Sequence, residues 1–259
     1  MADEPVRDPW SALRGPTAAR IGLGSNGNNM PTRATLEFSL AHAQARDAVH
    51  AAFDADAIER QVQALGLKTV RVHSRADDRA TYLRRPDLGR RLDEASRTAL
   101  AALAGPHRCD VVFVIGDGLS SIAAMSHGAA LVEATLACLG NGWRIGPLVI
   151  AEQTRVALGD EIADLLHADL VVVALGERPG LSSPDSLGLY VTWQPRIGRH
   201  DAERNCISNV RPGGLAIADA AARLAWHLVE ARRLQLSGGA LKDESDTLIV
   251  ANPATERLD

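Results

Sequence analysis

DVVFVIGDGLSSIAAMSHGAALVEATLACLG, Asp110–Gly140, joins two kinds of periodicity at one turn. Val111–Ile115 is apolar without interruption, the pattern of a strand buried on both faces. Gly116, Asp117 and Gly118 make the turn. Beyond it Ile122, Met125, Ala129, Val132, Leu136 and Leu139 step by three and four, a helical stripe that Gly140 and Gly142 stop. Strand, tight turn and amphipathic helix in that order make half of a βαβ unit.

The same grammar recurs downstream. IGPLVIAEQ reads as a second strand, and TRVALGDEIADLLHAD as a second helix with Leu158, Ile162, Leu165 and Leu166 on one face. DLVVVALG reads as a third strand and LYVTWQ as a fourth. The last helix spans residues 215–234, with Ile217, Ala221, Leu224, Leu228 and Ala231 as its stripe. Strands alternating with helices predict an α/β fold: a Rossmann-like, doubly wound, mostly parallel sheet covered on both faces.

Upstream the pattern differs. The first 31 residues are irregular, with Pro, Gly and Asn throughout. Thr32 reads as an N-cap, and Leu36, Leu40 and Ala43 recur at helical spacing behind it. Helical character runs on, with a break near Asp54, to Gly66. KTVRVHSRADDRATYLRRPDLG looks extended or looped. A helix over 90–104, closed by Gly105 and Pro106, precedes the first βα unit. The expected division is a helical, partly irregular N-terminal arm over 1–105, the sheet domain over 106–242 and a tail over 243–259.

GLGSNG, Gly22–Gly27, matches the G-x-G-x-x-G of dinucleotide-binding turns. That turn must follow a strand and open a helix. Only ARI precedes it, and Asn28, Asn29 and Pro31 intervene before the first helix. The glycines therefore read as shaping an irregular arm.

Bulk composition excludes several classes. The net charge is -4, without the basic excess of a general nucleic-acid binder. Cys109, Cys138 and Cys206 are odd in number and far apart, which argues against disulfides and a structural zinc site. MADEPVRDPW shows no basic segment followed by an apolar run. The longest apolar runs are strand-length, short of the ~20 residues of a membrane span. A reduced, cytoplasmic setting without membrane contact is the expectation.

In such a sheet ligands bind beyond the carboxyl ends of the strands. The corresponding loops are Gly116–Ser121, Glu152–Val156, Gly176–Tyr190 and the stretch around Cys206. GERPGLSSPDSLGLY is too elaborate for a plain connection. Read locally, Glu177 either accepts hydrogen bonds from a ligand or pairs with Arg178 or Arg155. Cys206, in RNCISNV, reads as a small packed thiol, because no base or cysteine-protease signature accompanies it. Val156 reads as core at a helix start. Asp117 and Ser120 serve equally as ligand groups or as a turn and an N-cap. His127 reads as a packed or solvated histidine on its helix. No HExxH, GxSxG or P-loop lysine motif occurs, and no Asp/His cluster has metal spacing. The sequence shows a binding architecture and no catalytic apparatus.

The words RIGLG, PTRATLEFSLAHAQARDAVH, TYLRRPDLGRRL, DVVFVIGDGLSS, ALGERPGLSSPDSLGLYVTWQPR and ERNCISNVRPGGL, in that order over Pro9 to Lys242, resemble the small subunit of ethanolamine ammonia-lyase. ERPGLSSPDSLG and NCISN are the most specific of them. The resemblance implies a partner: a larger, barrel-shaped subunit that holds the substrate-binding and radical-handling residues. It implies adenosylcobalamin, shared at the interface, and conversion of ethanolamine to acetaldehyde and ammonia. It implies no catalytic residue in this chain and places cobalamin contacts at Val156, Glu177 and Cys206. None of the eight histidines lies in a D-x-H-x-x-G motif, so the cofactor is expected to keep its own base on cobalt. The expected setting is the cytoplasm or a bacterial microcompartment within it. A self-sufficient nucleotide-dependent α/β enzyme and a non-catalytic corrinoid-binding protein stay open as alternatives.

Overall fold

The computed structural model describes residues 10–14, 19–25, 28–105 and 108–245. Gly27 of GLGSNG, Pro106 and residues 246–259 of the tail lie outside them. The elements run α1 (Ser11–Arg14), α2 (Thr32–His50), α3 (Ala55–Gln63), β1 (Thr69–His73), α4 (Arg79–Arg84), α5 (Glu94–Leu103) and β2 (Cys109–Gly116). They continue with α6 (Ser121–Leu139), β3 (Leu148–Glu152), α7 (Leu158–Leu165), β4 (Ala168–Gly176), β5 (Leu187–Trp193), β6 (Arg204–Val210) and α8 (Ile217–Leu234). The fold is α/β, built on one open, mixed sheet in the order β1-β3-β2-β4-β5-β6.

β1, β3, β2 and β4 run parallel to one another, β5 runs antiparallel to β4, and β6 runs antiparallel to β5. LYVTWQ thus forms a strand but reverses direction. Residues 177–186, between β4 and β5, hold no helix to carry the chain back across the sheet, and parallel pairing needs such a crossover. RNCISNV becomes the edge strand β6, where the sequence suggested a loop. Only Arg204, Ile207 and Val210 of that strand are buried, a spacing of three that hides its period-two signal. Arg204 turns to Asp160 of α7 and Ile207 to the other face; opposite Leu187–Leu189 the register shifts by one extra β6 residue, which returns Val210 to the Ile207 face.

TVRVH, left as extended or looped, is β1, and it pairs along the whole of β3. The sheet therefore takes a strand from ahead of residue 106. Behind β1, Asp78 accepts from the Thr81 amide and starts α4. The helix expected from Arg90 starts at Glu94, since Asp93 takes the cap and accepts from the Ser96 amide. Thr32 is not a cap: α2 starts on it behind Pro31, and no side chain caps that end.

Apolar clusters cover both faces of the sheet. On one, α6 and α8 pack over Phe113, Ile115, Leu170 and Val172. On the other, Leu100 of α5 and Leu158 and Ile162 of α7 pack over Val114, Val149 and Val173. The α8 stripe Ala221, Leu224, Leu228 and Ala231 is buried as expected. α6 sits deeper than its stripe implies: Ala123, Ala124, Gly128 and Leu131 are also buried. A Cβ on Gly128 would lie 2.9 Å from the Ile115 side chain, so this residue lets the helix approach β2. Because α6 packs on the sheet and on α8, it is apolar nearly all round. By length and composition Ser121–Gly142 is long and apolar enough to cross a membrane, so the longest apolar stretch is not strand-length.

α2 behaves differently. Leu36 and Leu40, its expected buried face, are 64% and 60% exposed, and only Ala41 and Ala48 are buried. Among the described residues ahead of GLGSNG there is α1 and no strand, so the dinucleotide context is missing there.

One buried ion pair fastens the edge of the sheet to α7. Arg204, at the start of β6, donates to both Asp160 oxygens at 2.7 and 2.6 Å, with both side chains nearly inaccessible. Thr192 on β5 and the Arg199 carbonyl accept from the same two terminal nitrogens, whereas Nε is buried without a hydrogen-bond partner. Arg204→Met leaves Asp160 buried without its partner and is expected to cost about 3–5 kcal/mol. Urea denaturation checks this, and Arg204→Met combined with Asp160→Leu should recover part of the loss.

Candidate functional site

β2 leads through α6 to β3 on one side of it, whereas β4, on its other side, leads away to β5. Connections diverge at the carboxyl ends of β2 and β4, and such a divergence opens a crevice in an α/β sheet. The cleft there encloses about 450 Å³ and is bounded by Tyr82, Gly118, Arg155, Val156, Glu177 and Tyr190.

Asp117 is the clasp of this region. It is 1% exposed, and its two oxygens accept from the Gln153 and Thr154 amides at 3.0 and 2.9 Å. The turn after β2 is thus tied to the turn after β3. Arg79 lies 3.2 Å from the same carboxylate and also donates to the carbonyls of Val49 and Gly118. Gly118 has φ +56°, and a Cβ there would lie 2.3 Å from the Gly176 carbonyl oxygen. Only glycine lets these two loops approach so closely. Ser120 caps α6 through the Ala123 amide and donates to the Pro184 carbonyl at 2.7 Å, pinning the long loop to the helix start.

Tyr82 forms the floor on the α4 side. Its hydroxyl donates to the Thr154 carbonyl at 2.9 Å, and the Arg79 and Arg155 guanidinium carbons lie 4.9 and 4.2 Å from its ring centre. Burial, then the Asp117 charge, pushes its phenol pKa upward. On the opposite side Tyr190 is raised as well, by burial first and then by the Cys206 thiol and Glu177.

The three residues singled out in the sequence fall around this cleft. Val156 and Glu177 line it directly. Glu177 Oε2 accepts from the Ser186 hydroxyl at 2.5 Å and from the Asn209 amide at 3.2 Å, whereas Oε1 accepts no hydrogen bond among the described residues. It pairs with neither Arg178 nor Arg155. Cys206 does not line the cleft. It lies within β6, opposite Tyr190 in the register, and reaches the site through that tyrosine. The thiol is exposed rather than packed, 3.3 Å from the Ser208 hydroxyl, because side chains on this strand alternate about an unpaired sheet edge. His127 is buried, with Nε2 3.7 Å from Asp185 of the long loop.

Sequence reasoning missed Tyr82, Tyr190 and Arg79, and weighed Arg155 only as a partner for Glu177. One signal was available: the chain has two tyrosines, and both stand in this cleft. The arginines gave none, since they recur throughout the chain.

The family model "Ethanolamine ammonia-lyase light chain (EutC)" matches residues 7–242. The chain belongs to that family. Among its relatives, the ethanolamine ammonia-lyase small subunit of Xanthomonas campestris pv. campestris (strain B100) is 50% identical over 245 residues, covering 93% of this chain and 90% of the relative. That of Pseudomonas aeruginosa (strain LESB58) is 51% identical over 249 residues, covering 95% and 91%. That of Ralstonia nicotianae (strain ATCC BAA-1114 / GMI1000) is 50% identical over 244 residues, covering 93% and 90%. The resemblance read from ERPGLSSPDSLG and NCISN extends over residues 7–242, and the family is that of a lyase subunit.

Asp117 supplies a pH test of the clasp. Burial raises its pKa from 3.8 to about 6, against the Thr154 and Gln153 amides and Arg79, which lower it. The folded value lies above the unfolded one. The carboxyl's contribution to stability is therefore complete below 3.8 and is lost as pH rises through about 6. A carboxyl-carbon NMR titration should place the Asp117 midpoint near 6; a midpoint at 3.8 would show that the amides and Arg79 outweigh burial.

Proposed function

We propose that this chain is the small subunit of an adenosylcobalamin-dependent ethanolamine ammonia-lyase and closes the cobalamin site against a larger subunit. The observation that carries this reading is the cleft at the divergence of β2 and β4, lined by Val156 and Glu177 and flanked by Cys206 through Tyr190. Rossmann-like, doubly wound winding about β2 would put the cofactor at the natural crevice of the sheet.

The residues present fit a corrinoid. A corrin rim carries amide side chains, which need both acceptors and donors. Glu177 Oε1 is an unused acceptor, and Oε2 is held in place by Ser186 and Asn209. Arg155, which lines the cleft, has its Nε buried without a hydrogen-bond partner. Buried polar groups are normally satisfied, so unsatisfied ones at a cleft mark where a ligand's groups arrive. Val156 and Tyr190 give apolar contact to the ring edge.

When bound, the cofactor supplies a carbon-centred radical by homolysis of its cobalt–carbon bond, which starts the conversion of ethanolamine to acetaldehyde and ammonia. This chain's part is to bind, orient and exclude water. Glu177 fixes corrin amides, the Asp117 clasp holds the cleft walls in register, and Val156 and Tyr190 keep the rim dry. The reading assigns no catalytic residue to this chain, leaves the cofactor's own base on cobalt, and sets the complex in the cytoplasm or a microcompartment.

The surface also suits a subunit that works only in a complex. Leu36 and Leu40 are 64% and 60% exposed on one face of α2, and Met30 and Phe38, 50% and 42% exposed, cluster beside Leu181 of the long loop. A clustered apolar surface of this kind marks a protein–protein contact. The large subunit is the proposed occupant, and the purified chain is expected to show no ammonia-lyase activity until that subunit and adenosylcobalamin are added. Activity of the isolated chain on ethanolamine would overturn the reading.

Two variants separate its parts. Glu177→Gln should weaken adenosylcobalamin binding by the complex about tenfold, near 1.4 kcal/mol, with the melting temperature unchanged. Unchanged affinity would make Glu177 a structural residue of the long loop. Leu40→Asp should weaken assembly in sedimentation experiments without unfolding the chain, because the side chain is exposed in the free subunit.

A further inference from the structure

A second cleft of about 240 Å³ adjoins the first and shares Arg155 and Val156 with it. Its other walls are Pro86, Arg90, Arg199 and His200, and Asp201 stands at the rim. The charges do not cancel locally. Arg199 is committed to Glu203 and to the Trp193 and Gln194 carbonyls. Asp201 faces Arg204 at 3.5 Å. That leaves Arg90 and Arg155 without a carboxylate among the described residues.

The fold brings these two arginines together. The Arg155 amide donates to the Gly89 carbonyl at 2.9 Å, which docks the 88–90 turn against the turn after β3. A Cβ on Gly89 would lie 2.9 Å from Arg155 Cγ, so glycine there lets the arginine stem pass. Tyr82 then fixes the guanidinium, by ring contact and through its carbonyl, which accepts from Nη2 at 3.3 Å. Arg155 Nε remains buried and without a hydrogen-bond partner. Holding a partly buried guanidinium beside a second one, without an anion, is unfavourable. The first helical residues of α7 also begin at this wall, with the positive end of its dipole toward the cleft.

We propose that this cleft is a phosphate-binding subsite, with Arg90 and Arg155 as its two cationic arms, and that it receives the phosphodiester of the cofactor's nucleotide tail. Arg155 would contact both parts of the ligand, since it lines both clefts. The second half of the proposal rests on the cobalamin reading above, whereas the anion site itself rests on the arginines.

The test uses the complex with the large subunit and follows binding by calorimetry and corrin absorbance. The probes are adenosylcobinamide, which lacks the phosphate, adenosylcobinamide phosphate, and inorganic phosphate. The wild-type complex should prefer the phosphorylated corrinoid by about tenfold or more, as expected for one charge-assisted pair. Arg90→Gln, at an exposed position that leaves the packing intact, should abolish most of that preference and leave adenosylcobinamide affinity unchanged. Arg155→Gln should also abolish that preference but weaken adenosylcobinamide binding as well, because Arg155 lines both clefts. Adenosylcobalamin should displace inorganic phosphate from the wild-type complex. A preference that survives in both variants overturns the proposal. Phosphate that still binds beside saturating adenosylcobalamin, and is lost in Arg90→Gln, shows a free-anion site and overturns the nucleotide-tail assignment. A complex that binds inorganic phosphate through Arg90 but no corrinoid overturns the cobalamin reading and leaves the anion site supported.

Discussion

The Asp117 carboxylate takes the amides of Gln153 and Thr154, and through them holds the carboxyl ends of β2 and β3 in one arrangement. Everything around the cleft leans on it. Arg79 answers its charge, and Arg79 and Arg155 between them enclose the Tyr82 ring. Tyr82 in turn holds the Thr154 carbonyl, so the turn after β3 is bound from both ends. Gly118 and Gly176 permit the approach that this geometry needs, because a side chain at either would strike backbone. A buried carboxylate has few stable solutions, and near-complete hydrogen bonding selects one of them.

From this clasp follows the division of labour in the site. The cleft contains rigid walls, an acceptor at Glu177, donors on Arg155 and two tyrosines. It contains no general base paired with a nucleophile, and among the described residues no group of three or more His, Cys, Asp or Glu could hold a metal. Such a surface suits the binding and orienting role proposed for it. Family membership gives this surface its setting: the chain is one subunit of a lyase, and under the proposed reading a bound cofactor carries the chemistry. The exposed apolar residues of α2 fit the same picture, since a face that the monomer leaves wet is available for a larger partner.

Legibility in the sequence followed periodicity. β2, β3 and β4 are continuous apolar runs, and α6 and α8 carry stripes at helical spacing, so these elements were readable. β1 and β6 were not. β1 is a short strand with Arg71 at its centre, exposed and paired with Asp56 and Glu59 of α3. β6 buries every third residue because Arg204 is paired with Asp160 on one face while a register shift brings Val210 to the face of Ile207. Within the site, Val156 and Glu177 were placed correctly on strand-end loops. Cys206 was placed in a loop and proved to sit on an exposed strand edge. Arg79 and Arg155 carry no local mark of their role, which arises from Asp117 for Arg79 and from Tyr82 and Gly89 for Arg155, all distant along the chain.

The sequence by itself determined the α/β class, the position of the crevice-forming loops and the family, because these depend on local periodicity and on specific words such as ERPGLSSPDSLG. Only the tertiary structure decided the direction of β5, the burial of Asp117 with Arg79, the exposure of Cys206 and the pairing of two clefts through Arg155. Each of these depends on which distant segments meet, and such meetings are set by sheet register and core packing rather than by any local pattern.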